Sequence, residues 1–289
     1  MRAGLYAFWP MSRRPHVLLL LALACACGAV AVWVAAFEVA LLRGYDAGAM
    51  QAFTGVARPP LEPSIAGIAV LADPTWFFAG CGALTLLALL RRRWLMALAV
   101  PAIALGANAT TQLLKPALAG TRTLDLHGIQ MIYHGSWPSG HSTAAMSLAL
   151  CFVLVVGPRL RPVAAVIGAV YAIAVGYALV ALGYHLPSDV LGGYLVAATF
   201  ALAGAAALAA LEARAPLRSA RERPLAGVSV WSLAAGGALL LACVAVVVAL
   251  GAPEMTLSAL QHPSALAAGA GIAALGVTLT AGLAALLQR

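Results

Sequence analysis

Eight apolar runs, most of them about twenty residues long, divide this chain and leave it few ways to fold. They cover residues 17–42, 65–90, 94–114, 144–156, 163–182, 190–211, 228–250 and 264–287. In hydrocarbon every backbone N–H and C=O must find a partner within the protein, so only helices and closed barrels cross a bilayer. A helical crossing takes about twenty apolar residues. A barrel strand alternates apolar and polar positions, whereas these runs are continuous. Of 289 residues, 63% are hydrophobic and only 9% charged, where a soluble domain carries roughly 25% charged residues. The class is therefore all-α, a polytopic transmembrane helical bundle. It divides into a six-helix core over 1–212, a basic loop over 213–227 and two additional transmembrane helices over 228–289. The first run follows Arg2, Arg13 and Arg14. It is too long for a signal peptide and no clear cleavage site follows, so it reads as a retained helix.

Charge gives the orientation. Thirteen of the seventeen Lys and Arg residues fall on one side if the chain crosses eight times. These are Arg2, Arg13, Arg14, Arg91, Arg92, Arg93, Arg159, Arg161, Arg214, Arg218, Arg221, Arg223 and Arg289; Arg43, Arg58, Lys115 and Arg122 fall on the other. Basic loops stay in the cytoplasm, which puts the N-terminus inside. The net charge of +8 thus serves topology, and nucleic acid is not an expected partner. The arginine triplet 91–93 reads as a topology anchor. Cys25, Cys27, Cys81, Cys151 and Cys243 all lie within apolar runs without metal-like spacing, and read as small packing residues.

Three polar clusters fall together on the extracytoplasmic side. The first is Lys115 with Arg122; the second is Trp137-Pro138-Ser139-Gly140-His141; the third is His185 with Asp189. Ser139 and Gly140 open a helix, where free N–H groups and the positive end of the macrodipole attract anions. His185 and Asp189 are four apart, so they share a helix face, and Pro187 suits the first turn there. A carboxylate beside an imidazole fixes its tautomer and readies the other ring nitrogen. Lys115 is the single lysine among sixteen arginines, which points to a specific use for its ammonium. Two histidines, an aspartate, an anion-binding helix start and two cations fit phosphoryl transfer, where catalysis is mostly positioning and charge stabilisation. Taken one at a time, each cluster reads as a helix cap. His185 and Asp189 lack a third zinc ligand at familiar spacing, so no metal and no cofactor is expected. His127 and His134, in the same outer loop, are secondary candidates, as is Glu38 near the end of the first run. Residues 43–63 read as a mixed loop along the interface, and Asp73-Pro74 as a kink or the true start of the second span.

Together the motifs resemble the signature of the type-2 phosphatidic acid phosphatase family, integral membrane lipid phosphatases related to vanadium haloperoxidases. That signature is Lys, six residues, Arg-Pro; then Pro-Ser-Gly-His; then Ser-Arg, five residues, His, three residues, Asp. Lys115, Arg122, Pro138-Ser139-Gly140-His141, His185 and Asp189 match it, over a resemblance spanning about residues 40–210. It implies His185 as the nucleophile, Asp189 as its orienting partner and His141 as acid and base. It implies Lys115, Arg122, Ser139 and Gly140 as the holders of phosphate. The expected protein is a multi-pass lipid phosphate phosphatase of the cell membrane, with its active site extracytoplasmic and membrane lipids as its surroundings. Its substrate would be a polyprenyl (pyro)phosphate or a phosphatidate-like lipid. Two departures stand out: Thr123 follows Arg122, and Ala178-Leu179 occupy the place of Ser-Arg. Two alternatives stay open, a phosphotransferase to a glycan or lipid acceptor and, favoured by the missing arginine, a catalytically weakened lipid-phosphate-binding protein.

Overall fold

Long Ala-, Leu- and Val-rich runs favour helix wherever they are found in a low-dielectric surrounding, and helices account for nearly all of the architecture. The structure, a computed structural model, describes residues 15–55, 59, 61–118, 120–126, 129–214 and 262–288. The expected seventh span (228–250) and the basic loop beyond Arg214 lie outside the described residues. So do Arg2, Arg13, Arg14, Arg58, His127, Arg218, Arg221, Arg223, Cys243 and Arg289. In chain order come α1 (Pro15–Glu38), α2 (Ala40–Thr54), α3 (Glu62–Val70), α4 (Pro74–Leu90) and α5 (Trp94–Ala117). There follow β1 (Thr121–Leu126), β2 (Ile129–His134), α6 (Gly140–Val155), α7 (Arg161–Ala181), α8 (Pro187–Arg214) and α9 (Pro263–Leu286). Helices α1, α5, α7, α8 and α9 are long and apolar enough to cross a membrane, and α3 with α4 makes a sixth crossing if that pair, bent by 47°, is one span.

Helix α6 is the axis of the bundle. At 16 residues it is about 24 Å long, short of the roughly 30 Å hydrocarbon core. It does not face lipid: 13 of its residues are buried, and α4, α5, α7, α8 and α9 pack around it. A helix that is apolar all round belongs in such a place. Its C-terminal carbonyls are capped from outside, since Arg93 Nη1 donates to Leu154 O (3.2 Å) and Val155 O (3.0 Å). Arg93 is itself buried, so this member of the triplet is a helix cap within the bundle as well as a basic residue at a span's end. Arg161, at the start of α7, caps the last helix in the same way by donating to Leu287 O.

Three stretches differ from the linear reading. The first run does not continue to residue 42: α1 stops at Glu38, Val39 is extended (φ −99°, ψ 103°), and a separate helix begins at Ala40. The expected interface loop 43–63 therefore holds α2, which packs on α1, α7 and α9. Within the second run the chain leaves helix after Val70 and restarts at Pro74. The loop between α5 and α6 contains an antiparallel β1–β2 hairpin pairing Thr121 with His134 through Leu126 with Ile129. It is the only sheet among the described residues. Helix α9 is built into the bundle, with Ile272 fully buried and Tyr177 Oη donating to Gly269 O at 2.7 Å.

Candidate active site

Every motif residue collects at one end of the bundle, opposite the Arg93 and Arg161 caps. The site starts from a backbone tie: Ser139 N donates to Asp189 O at 3.0 Å, which fixes the opening of α6 against the first turn of α8. Gly193 makes this approach possible, because a Cβ there would lie 2.7 Å from Ser139 O and 3.0 Å from Ser142 Cβ. Ser139 is the N-cap of α6, its Oγ accepting from Ser142 N at 3.3 Å, so the N–H groups of the first turn sit over a neutral cap. Gly183, at φ +72°, lets the chain turn from α7 into α8. Tyr133 of the hairpin donates to Gly183 O at 2.7 Å and holds that turn in place.

Asp189 is fully buried and uses both oxygens. Oδ1 accepts from Arg122 Nη2. Oδ2 accepts from Leu186 N at 3.1 Å and lies 3.3 Å from His185 Nδ1. A carboxylate anchored in this way places the proton of His185 on Nδ1 and leaves Nε2 with its lone pair. The i,i+4 spacing read from the sequence is thus a direct contact. His141 stands opposite, its ring centroid 6.4 Å from that of His185, and its Nε2 lies 3.0 Å from Asp73 Oδ1. Both histidines therefore have a carboxylate partner.

Arg122, on β1, is 6% exposed and held on several sides. Nη1 donates to Asp46 Oδ2 (3.3 Å) and Ser188 Oγ (3.0 Å), and Nη2 to Ser136 Oγ (2.7 Å) and Asp189 Oδ1. The Phe37 ring lies 4.6 Å from the guanidinium carbon, at cation–π distance. Its Nε has no partner among the described residues. Asp46 also accepts from Ser188 N (2.9 Å) and Ser188 Oγ (2.6 Å). Burial pushes the Asp46 carboxyl up to about 6, Asp189 nearby adds to the rise, and Ser188 and Arg122 offset part of it.

Lys115 reaches the same place from the last turn of α5, where its Nζ would be 3.9 Å from a Cβ built on Gly140. His134 does not join the cluster: its Nδ1 pairs with Thr121 Oγ1 at 3.0 Å across the exposed hairpin. Glu38 is exposed at the end of α1. Among the described residues no three His, Cys, Asp or Glu side chains gather as a metal site. Asp46, Asp73, Ser136 and Ser188 were missed as partners in the linear reading. A signal existed for the two acids, since the chain has only nine Asp and Glu, and a scarce charge kept beside an apolar run asks for a use.

As a class, then, this is a membrane helix bundle that gathers His141, His185, Asp73, Asp189 and Arg122 at one end. Residues 94–213, from α5 through α8, match the model of the PAP2 superfamily. Among solved structures, the crystal structure of a transmembrane PAP2-type phosphatidylglycerolphosphate phosphatase from Bacillus subtilis is similar. The likeness is at 23% identity with a TM-score of 0.48, covering 73% of this chain and 99% of that one. No curated protein matches the chain. Asp46 and Asp73 lie before the matched segment.

Proposed function

We propose that the protein is a lipid phosphate phosphatase working through a phosphohistidine at the extracytoplasmic face of the cell membrane. The observation that carries this is the two-sided hold on Asp189, with Arg122 on one oxygen and His185 Nδ1 on the other. His185 Nε2 attacks phosphorus as the bond to the lipid oxygen breaks, and His141 gives that oxygen a proton. Water then attacks the phosphohistidine, His141 takes the water's proton, and His185 is released with inorganic phosphate. Lys115, Ser139 and the Gly140 N–H hold the phosphate oxygens. Arg122 has spent both Nη groups on protein partners, so it supports Asp189 and offers phosphate its Nε–H alone. Asp73 orients His141.

A polyprenyl (pyro)phosphate or phosphatidate-like substrate suits a site placed at the end of a lipid-facing bundle, since the head group reaches it with the chains still in the bilayer. Leu179, where the resemblance calls for an arginine, is fully buried. A preorganised donor to a developing charge is worth about 10²–10³ in rate, so turnover is expected to be slow for a site of this kind. The test is phosphate release from lipid mono- and diphosphates by the purified protein in detergent with EDTA present. Release that falls to background in His185→Ala supports the assignment. No release from any of these lipids, or unchanged release in the variant, contradicts it.

A further inference from the structure

A Cβ built on Gly140 meets only two atoms within 4 Å, and both are nitrogens: Gln112 Nε2 at 3.2 Å and Lys115 Nζ at 3.9 Å. Gln112 precedes Lys115 by three residues on α5, so the two side chains leave the helix from one face. They converge on the open side of Gly140, beside the start of α6, where backbone N–H groups favour an anion. Gln112 is exposed, and its amide has no hydrogen-bond partner among the described residues. A side-chain amide brings two N–H donors and no charge. From this convergence we infer that Gln112 is a further phosphate-binding residue, donating to a phosphate oxygen beside the Lys115 ammonium. The role fits the rest of the donor set. Position 179 is a sealed leucine, and the Nη groups of Arg122 are committed to Asp46, Asp189 and two serines. Lys115 feels the Asp189 carboxylate but makes no close ion pair among the described residues, and a neutral donor beside it completes the contact.

The inference rests on the phosphate-site reading above, and the experiment separates the two. Orthovanadate, as a tetrahedral phosphate mimic, is titrated calorimetrically into the full-length protein in detergent. Wild type is compared with Gln112→Ala, Gln112→Glu, Gln112→Arg and Lys115→Ala. One hydrogen bond to a charged group is worth roughly tenfold, so Gln112→Ala is expected to bind about tenfold more weakly. Gln112→Glu should bind more weakly still through like-charge repulsion, and Gln112→Arg at least as tightly as wild type. Unfolding temperatures should stay level across the Gln112 variants, because the side chain is exposed. If Gln112→Ala and Gln112→Glu bind within about twofold of wild type while Lys115→Ala loses binding, the role of Gln112 is overturned and the site stands. If Lys115→Ala also binds like wild type, or wild type does not bind, the site reading itself fails.

Discussion

Asp46 shows at the level of one side chain how this site is braced. It sits 76 residues before Arg122, on a helix outside the matched segment, and shares Arg122 with Asp189. Its folded-state carboxyl is raised from the ordinary 3.8 to about 6, chiefly by burial. The sign follows from linkage: a carboxyl with a raised folded value binds its proton more tightly in the native state than in the unfolded one. Its contribution to stability is greatest at low pH and is lost as pH rises through about 6. Asp46→Asn removes that titration. The unfolding temperature of wild type minus that of the variant, measured in detergent, should fall between pH about 4 and 6 and run level above. A difference that rises over this window would contradict the assignment. The linear sequence made His185 and Asp189 legible because their contact is local, four residues apart. Asp46 and Asp73 were not legible as partners because their contacts, to Arg122 and His141, join elements 76 and 68 residues apart. Spacing rules reach one helix turn; these pairings depend on how helices stack.

Between elements, the decisive contact is the approach of α8 to the start of α6. Gly193 has no catalytic atom, yet a methyl there would press on the Ser139 carbonyl at 2.7 Å. Gly193→Ala should therefore separate the two helix ends, costing about 1–3 kcal/mol of stability and up to about 10²-fold in turnover through misplacement. Unfolding temperature and phosphate release in detergent check both, and wild-type values for both would contradict the packing. The Pro138–His141 stretch was legible as a helix start because Ser is a favoured cap and Gly a favoured anion contact. Helix α2 was not. Its Gly44, Asp46 and Gly48 lower helix propensity, and tertiary packing on α1, α7 and α9 supplies what propensity lacks. The hairpin was hidden too, because Tyr133 and Arg122 gain their partners from other elements.

Across the whole molecule the two ends differ in kind. One carries the site and the hairpin; the other carries Arg93 and Arg161, buried and capping helix ends. Apolar run length made the bundle legible, since α1, α5, α7, α8 and α9 each fall on an expected span. Run length gave no sign that α6 is wholly enclosed, because a short apolar run looks the same facing lipid or protein. The charge asymmetry predicts that the site end faces away from the cytoplasm. Ile132→Cys, on the exposed hairpin, should react with a membrane-impermeant thiol reagent in intact cells, and Arg159→Cys only after permeabilisation. The reverse pattern would invert the orientation. The central claim is the phosphohistidine on His185. A rapid quench with lipid carrying a radiolabelled phosphate should trap an acid-labile, alkali-stable label on the protein. That label should be absent in His185→Ala. Label that persists in His185→Ala, or phosphate released by wild type with no trappable label, would contradict the account.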